Sequence, residues 1–130
     1  MRIDVRGRNV EVTDDLREAV VSRFERVGKQ VSELATLEVE LSEERNPRIK
    51  DREVAEATLY LKGVTLRAEE ASPEMLHSIH ELAEDIRRQV KKHREKRRAR
   101  KLARRVVSRT RRGGQAGDSG ATAQMQGRTT

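Results

Sequence analysis

Ile3 and Val5 alternate with Arg2, Asp4 and Arg6, the period of a strand with one buried face. Gly7 to Thr13 then turns the chain. Thr13 is suited to cap a helix whose first turn holds Asp14 and Asp15, where the helix dipole favours acids. Leu16, Ala19, Val20, Phe24, Val27 and Val31 recur at helical spacing and predict one amphipathic helix. Leu37, Val39 and Leu41, alternating with Glu38, Glu40 and Ser42, predict a second strand, and the polar stretch SEERNPRIKDR reads as a connection containing Pro47. Ala55, Ala57, Leu59 and Leu61 alternate with Val54, Glu56, Thr58 and Tyr60. Lys62-Gly63 then reverses the chain into Val64, Leu66 and Ala68, so two more strands are predicted as a hairpin.

Ser72-Pro73-Glu74 reads as the start of a second helix, with Ser72 as the cap and Pro73 tolerated in the first turn. At 100° per residue from Met75, the residues Ile79, Leu82, Ala83, Ile86 and Val90 fall between about −20° and 80°, a stripe that faces the core. Beyond His93 the stripe fails, because Arg97 falls at about 40°, inside the apolar sector. A helix that continues past this point is expected to leave the domain as an arm. The order β-α-β-β-β-α predicts an α+β domain: a four-stranded sheet with two helices on one face, the second helix extended as a basic arm. The expected boundaries are 1–96 for the domain, 97–112 for the basic arm and 113–130 for a flexible linker or tail, whose sequence GGQAGDSGATAQMQGRTT has no apolar periodicity.

Charge changes this picture from a fold into a partner. Residues 87–112 hold fifteen Lys or Arg and one Glu, whereas residues 1–86 hold thirteen Lys or Arg against twenty Asp or Glu. The net +7 of the chain is therefore segregated into an acidic head and a cationic segment. Clustered cations gain free energy by releasing counterions from a polyanion, which points to nucleic acid or an anionic membrane surface. The segment lacks Trp and Phe and has few, small apolar residues, which disfavours the membrane. The chain has no Cys, hence no disulfide or thiolate chemistry, and no apolar run reaching ~18 residues, so a cytoplasmic protein is expected.

Catalysis has little support. The histidines are His77, His80 and His93, and although His77, His80 and Glu84 share one side of a helix, no HExxH pattern or second ligand cluster accompanies them; solvated surface histidines are the plainer account. There is no Gly-rich phosphate loop after a strand and no GxSxG, so neither an enzyme nor a cofactor is expected. For binding, the outward sheet face would show Asp4, Glu38, Glu40, Glu56, Thr58, Tyr60, Thr65, Arg67 and Glu69, mostly acids with a single aromatic and a poor platform for stacking bases. The second helix is the better surface: Arg87, Lys91, Arg94 and Arg98 form one row, and Arg88, Lys92 and Lys96 another. Arg23, Arg26 and Lys29 on the first helix either extend that surface or form an ordinary solvated edge.

Three segments carry a family resemblance: GRNVEVTDDLREAV, SEERNPRIKDREVAEATLYLKGVTLRAEEASPEML and IRRQVKKHREK. Their order and spacing, from about Arg2 to Lys96, resemble the ribosome hibernation promoting factors, also called ribosome-associated inhibitor or light-repressed proteins. The resemblance implies the same β-α-β-β-β-α fold and a translation inhibitor of stress or stationary phase. Such a protein binds the small ribosomal subunit and its rRNA in the mRNA channel near the decoding centre and blocks mRNA and tRNA. By the same resemblance, Arg88, Lys92 and Lys96, with Arg87 and Lys91 adding charge, and Arg23, Arg26 and Lys29 take the positions that meet rRNA. Asp85 stands where many members have Lys, and Leu76 where most have Tyr. Long members add a second domain that pairs ribosomes; without one, this chain is expected to occupy single ribosomes and not to dimerise them. A small-molecule substrate is not expected, and the alternative reading is a general RNA-binding or RNA-chaperone module.

Overall fold

Alternation in the strands resolves into one sheet of four. β1 (Arg2–Gly7) lies parallel to β2 (Thr36–Glu43), which pairs antiparallel with β3 (Glu53–Leu61), itself antiparallel to β4 (Val64–Ser72), in the spatial order β1-β2-β3-β4. The parallel pair is joined through α1 (Asp14–Arg23) and α2 (Glu25–Gln30), and α3 (Met75–Gly113) follows β4. The computed structural model describes residues 1–113, with side chains described through residue 107; the linker expected at 113–130 lies outside the described residues from position 114 onward. Two compact units are present, Met1–Lys91 and a second that begins at Lys92.

The first unit holds the core. Leu37, Val39 and Leu41 of β2 and Ala55, Ala57 and Leu59 of β3 point to one face, where Val20, Phe24 and Val27 meet them from α1 and α2 and Ile79, Leu82, Ala83, Ile86 and Val90 from α3. All are buried, and each large aliphatic or aromatic member contributes about 1.5–3 kcal/mol by leaving water. The edge strands are half covered: Ile3 and Val5 of β1 and Leu66 and Ala68 of β4 pack against the rim. The apolar stripe of α3 therefore forms as its spacing predicts, and Arg97, which interrupts that periodicity, is exposed.

Local geometry refines the sequence reading in three places. The first helix is two consecutive segments joined at Phe24 (φ −91, ψ 4); bonds from Phe24 N to Val20 O and from Gly28 N to Phe24 O, both 3.0 Å, carry the helical pattern across the joint. Its start is as expected, with Thr13 Oγ1 accepting from Leu16 N at 3.2 Å. The hairpin turn is Lys62-Gly63, and Gly63 has φ +81, a left-handed conformation that glycine adopts without a Cβ penalty.

The start of α3 corrects the expectation. The helix begins at Met75, and Ser72 ends β4, buried, with Pro73 and Glu74 between them. Ser72 Oγ accepts from Glu74 N at 3.2 Å and lies 2.7 Å from Ser78 Oγ, which in turn donates to Glu53 O at 2.6 Å. Ser72 does not cap a helical turn but joins a buried hydroxyl chain, because the Ser78 side chain on the core side of α3 has no water to bond. That chain pins the first turn of α3 to the entry of β3.

Candidate nucleic-acid interface

Within the first unit, six of the ten basic residues named above fall on α1, α2 and the core-packed part of α3. Arg23 ends α1, Arg26 and Lys29 lie on α2, and all three are exposed. Arg88 and Lys91 are exposed on α3, while Arg87 is half-buried. Arg87 and Arg88 are neighbours in sequence but about 100° apart around the helix, so Arg87 bonds Glu84 while Arg88 acts on Glu70 of β4.

The two flanks have different electrostatics. On the α2 side, Arg87 donates to Glu84 Oε2 at 2.9 Å, and this bond holds the Glu84 carboxyl below its ordinary range; burial opposes it, and Arg87, His80 and Arg26 add their charge. Glu84 is thus bonded to Arg87 of α3 and lies within reach of the charge of Arg26 on α2. Lys29 is 3.8 Å from Glu25 one turn earlier, both well exposed, a pair weak enough to yield to a phosphate. On the β4 side, Arg88 faces acids. Glu70 has its pKa raised by burial first, then by Asp85 through charge and a hydrogen bond, and by Glu81, with Arg88 opposing. The alternation Leu66, Ala68, Glu70 turns this glutamate toward the helices, a signal present in the sequence and not used there. Gln89 closes this flank by donating to Arg67 O at 2.8 Å and Asp85 Oδ1 at 3.1 Å.

In the second unit, Lys92, Arg94 and Lys96 are exposed on α3, as are Arg97, Arg98, Arg100, Lys101, Arg104 and Arg105. Glu95 is the single acid between Lys92 and Val107. Cations this dense repel one another and bind a phosphate chain by counterion release.

The open sheet face has the opposite character. Glu40 takes Arg6 at 3.3 Å and Arg8 at 3.0 Å, Tyr60 Oη donates to Glu38 at 3.4 Å, and Glu56 sits across from Glu69. Arg6 and Arg8 are thus paired with an acid at this face. His77 and His80 do not converge either, since His77 Nε2 is 3.9 Å from Glu81 and His80 acts on Glu84. Among the described residues no helix is long and apolar enough to cross a membrane.

The sequence profile of the Sigma 54 modulation protein / S30EA ribosomal protein family matches residues 3–98. This chain belongs to that family. It is 35% identical over 95 residues to a ribosome hibernation promotion factor of Picosynechococcus sp., covering 72% of this chain and 49% of that protein. A ribosome hibernation promoting factor of Pseudomonas putida is 31% identical over 94 residues, covering 72% of this chain and 87% of the relative. The chain thus spans about half the length of some relatives and most of others. Among solved structures, the Protein Y N-terminal domain of Thermus thermophilus superposes with a TM-score of 0.63 at 26% identity, covering 72% of this chain and 99% of that one. A ribosomal subunit interface protein of Coxiella burnetii shares the fold, with a TM-score of 0.61 at 20% identity.

Proposed function

We propose that this protein is a ribosome hibernation factor that binds the small ribosomal subunit in its mRNA channel, near the decoding centre, and inhibits translation by excluding mRNA and tRNA under stress or in stationary phase. The observation that carries this reading is the set of exposed cations on α2 and along α3, in a chain whose first 86 residues are acidic and whose relatives bear the hibernation-factor name. The head supplies bulk, and the cations supply the hold on rRNA. No bond is made or broken in this mode of action, so it requires neither a catalytic group nor a cofactor. The acidic open face supports it by repelling RNA from the wrong side, which leaves the helical side to face phosphates. We take residues 1–96 as the ribosome-binding domain and 97–112 as a basic extension that adds further phosphate contacts.

Cosedimentation with vacant and with mRNA- and tRNA-filled small subunits across a salt series tests this. Preference for vacant subunits is expected, with an affinity slope against log salt on the order of −4 to −7 if six to eight phosphates are neutralised. Equal capture of filled subunits would overturn steric exclusion and favour a general RNA-binding module.

A further inference from the structure

The connection between β2 and β3 holds a second set of cations, at the end of the sheet where α3 begins. Residues 45–52 contain Arg45, Arg48, Lys50 and Arg52, four of the thirteen Lys or Arg of residues 1–86 in eight positions. The loop is built, not slack. Asn46 Oδ1 accepts from Arg48 N at 3.1 Å and Ile49 N donates to Asn46 O at 3.1 Å, closing a turn with Pro47 in its second position, where its fixed φ suits the turn. Arg52 ties the base by donating to Glu44 O and to Glu43 Oε1, both at 3.1 Å, while Glu44 N donates to Arg52 O at 2.7 Å. From the neighbouring connection, the Asn9 amide donates to Glu43 O at 2.8 Å and accepts from Glu43 N at 2.7 Å, standing in for a strand partner.

Inside this scaffold acids and cations are treated differently. Glu43 is consumed by Arg52, and Glu44 Oε1 accepts from Asn46 N at 3.2 Å. Asp51 is the acid of the loop whose side chain takes part in neither kind of bond. Arg45, Arg48 and Lys50 are exposed and form no ion pair with the described residues, and Ile49 among them is 40% exposed. Burying the acids' bonding capacity in the loop base while leaving three cations outward is the arrangement of a phosphate contact.

We propose that Arg45, Arg48 and Lys50 form a second phosphate-binding patch that grips a structured RNA segment separate from the one met by α2 and α3. The location supports separateness. Ser78 bonds Glu53 O at the foot of this loop, and Arg87 lies nine residues further along α3, about 13 Å of helical rise away. The two patches therefore address different phosphates, and their contributions add. This inference rests on the ribosomal reading for the identity of the RNA, but not for the chemistry of the contact.

The triple variant Arg45→Gln, Arg48→Gln, Lys50→Gln leaves every scaffold bond above in place, and its circular dichroism is expected to match the parent chain. On vacant small subunits its affinity is expected to fall roughly 10- to 100-fold at low salt, with the log-salt slope shallower by about 2–3. An unchanged affinity and slope overturn the proposal. Because the chain has no Cys, Ile49→Cys places a single thiol for a short photo-crosslinker at the loop tip. Adducts to rRNA support the patch, whereas adducts to ribosomal protein alone, or none within a formed complex, overturn it. If the parent chain ignores vacant subunits, the hibernation reading fails by itself, and the same slope comparison on protein-free small-subunit rRNA decides the loop.

Discussion

Glu84 accepts a 2.9 Å hydrogen bond from Arg87, three residues further along α3, and lies within reach of the charge of Arg26 on α2. The carboxylate competes with any phosphate for Arg87.

Replacing it changes binding in a direction that a purely structural pair would not. Glu84→Gln is expected to tighten association with rRNA roughly two- to fivefold at low salt, because Arg87 is released and one negative charge leaves its neighbourhood. Thermal stability should fall only slightly, by about 0.3–0.5 kcal/mol for a helical i,i+3 pair. Titration of binding against salt, beside a melting curve, checks both; weaker binding would show that Glu84 positions Arg87 instead of competing for it.

Arg87, Arg88, Lys91 and Lys92 of α3 lie outside the core stripe, so their charge can be removed at little cost to packing. Arg87→Gln, Arg88→Gln, Lys91→Gln and Lys92→Gln combined are expected to make the log-salt slope shallower by about 3–4 and to leave the circular dichroism unchanged. Filter binding across a salt series measures the slope. Retention of the parent slope would remove these residues from the interface.

Ser78 sits at the centre of the buried hydroxyl chain between Ser72 and Glu53 O. Ser78→Ala removes the hydroxyl that Glu53 O accepts from, while Ser72 Oγ keeps its bonds to Glu74 O and Glu74 N, at an expected cost of about 1–3 kcal/mol. Urea denaturation should show a lower midpoint at an unchanged m-value.

Glu70 gives a pH-dependent test. Its pKa is raised above the ordinary 4.5 by burial and by Asp85, so the folded chain holds the proton more tightly than the unfolded one. The associated stability is fully present below about pH 4.5 and is lost as pH rises through the raised folded value. Glu70→Gln is expected to stabilise the domain at pH 7 by on the order of 0.5 kcal/mol, the scale of one partly exposed charge contact. That corresponds to about 2–4 °C for a domain of this size, with little gain at pH 4. Melting curves at the two pH values make the comparison.

Periodicity carried the architecture because burial is a one-face constraint on each element. Leu37, Val39 and Leu41 at period two, and Ile79, Leu82, Ile86 and Val90 at helical spacing, declared their inward faces in the chain itself, and all seven are buried. The two cationic rows of α3 were equally legible, since residues on a regular helix take directions set by spacing alone. Local polar bonding was not legible. Ser72 was expected to cap a helix because Ser-Pro-Glu suits that role in isolation, yet its hydroxyl turns to Ser78, a partner supplied by packing α3 onto β3. The same limit hid the reach of Arg26 to Glu84 and of Arg88 to Glu70, each made by residues from separate elements. Sequence by itself determined which side of every strand and helix meets the core and where the positive charge is concentrated, because both depend on positions within one segment. Only tertiary structure decided which charges meet across elements, such as Arg6 and Arg8 with Glu40, and which hydroxyls are buried, because those depend on distances between segments far apart in the chain.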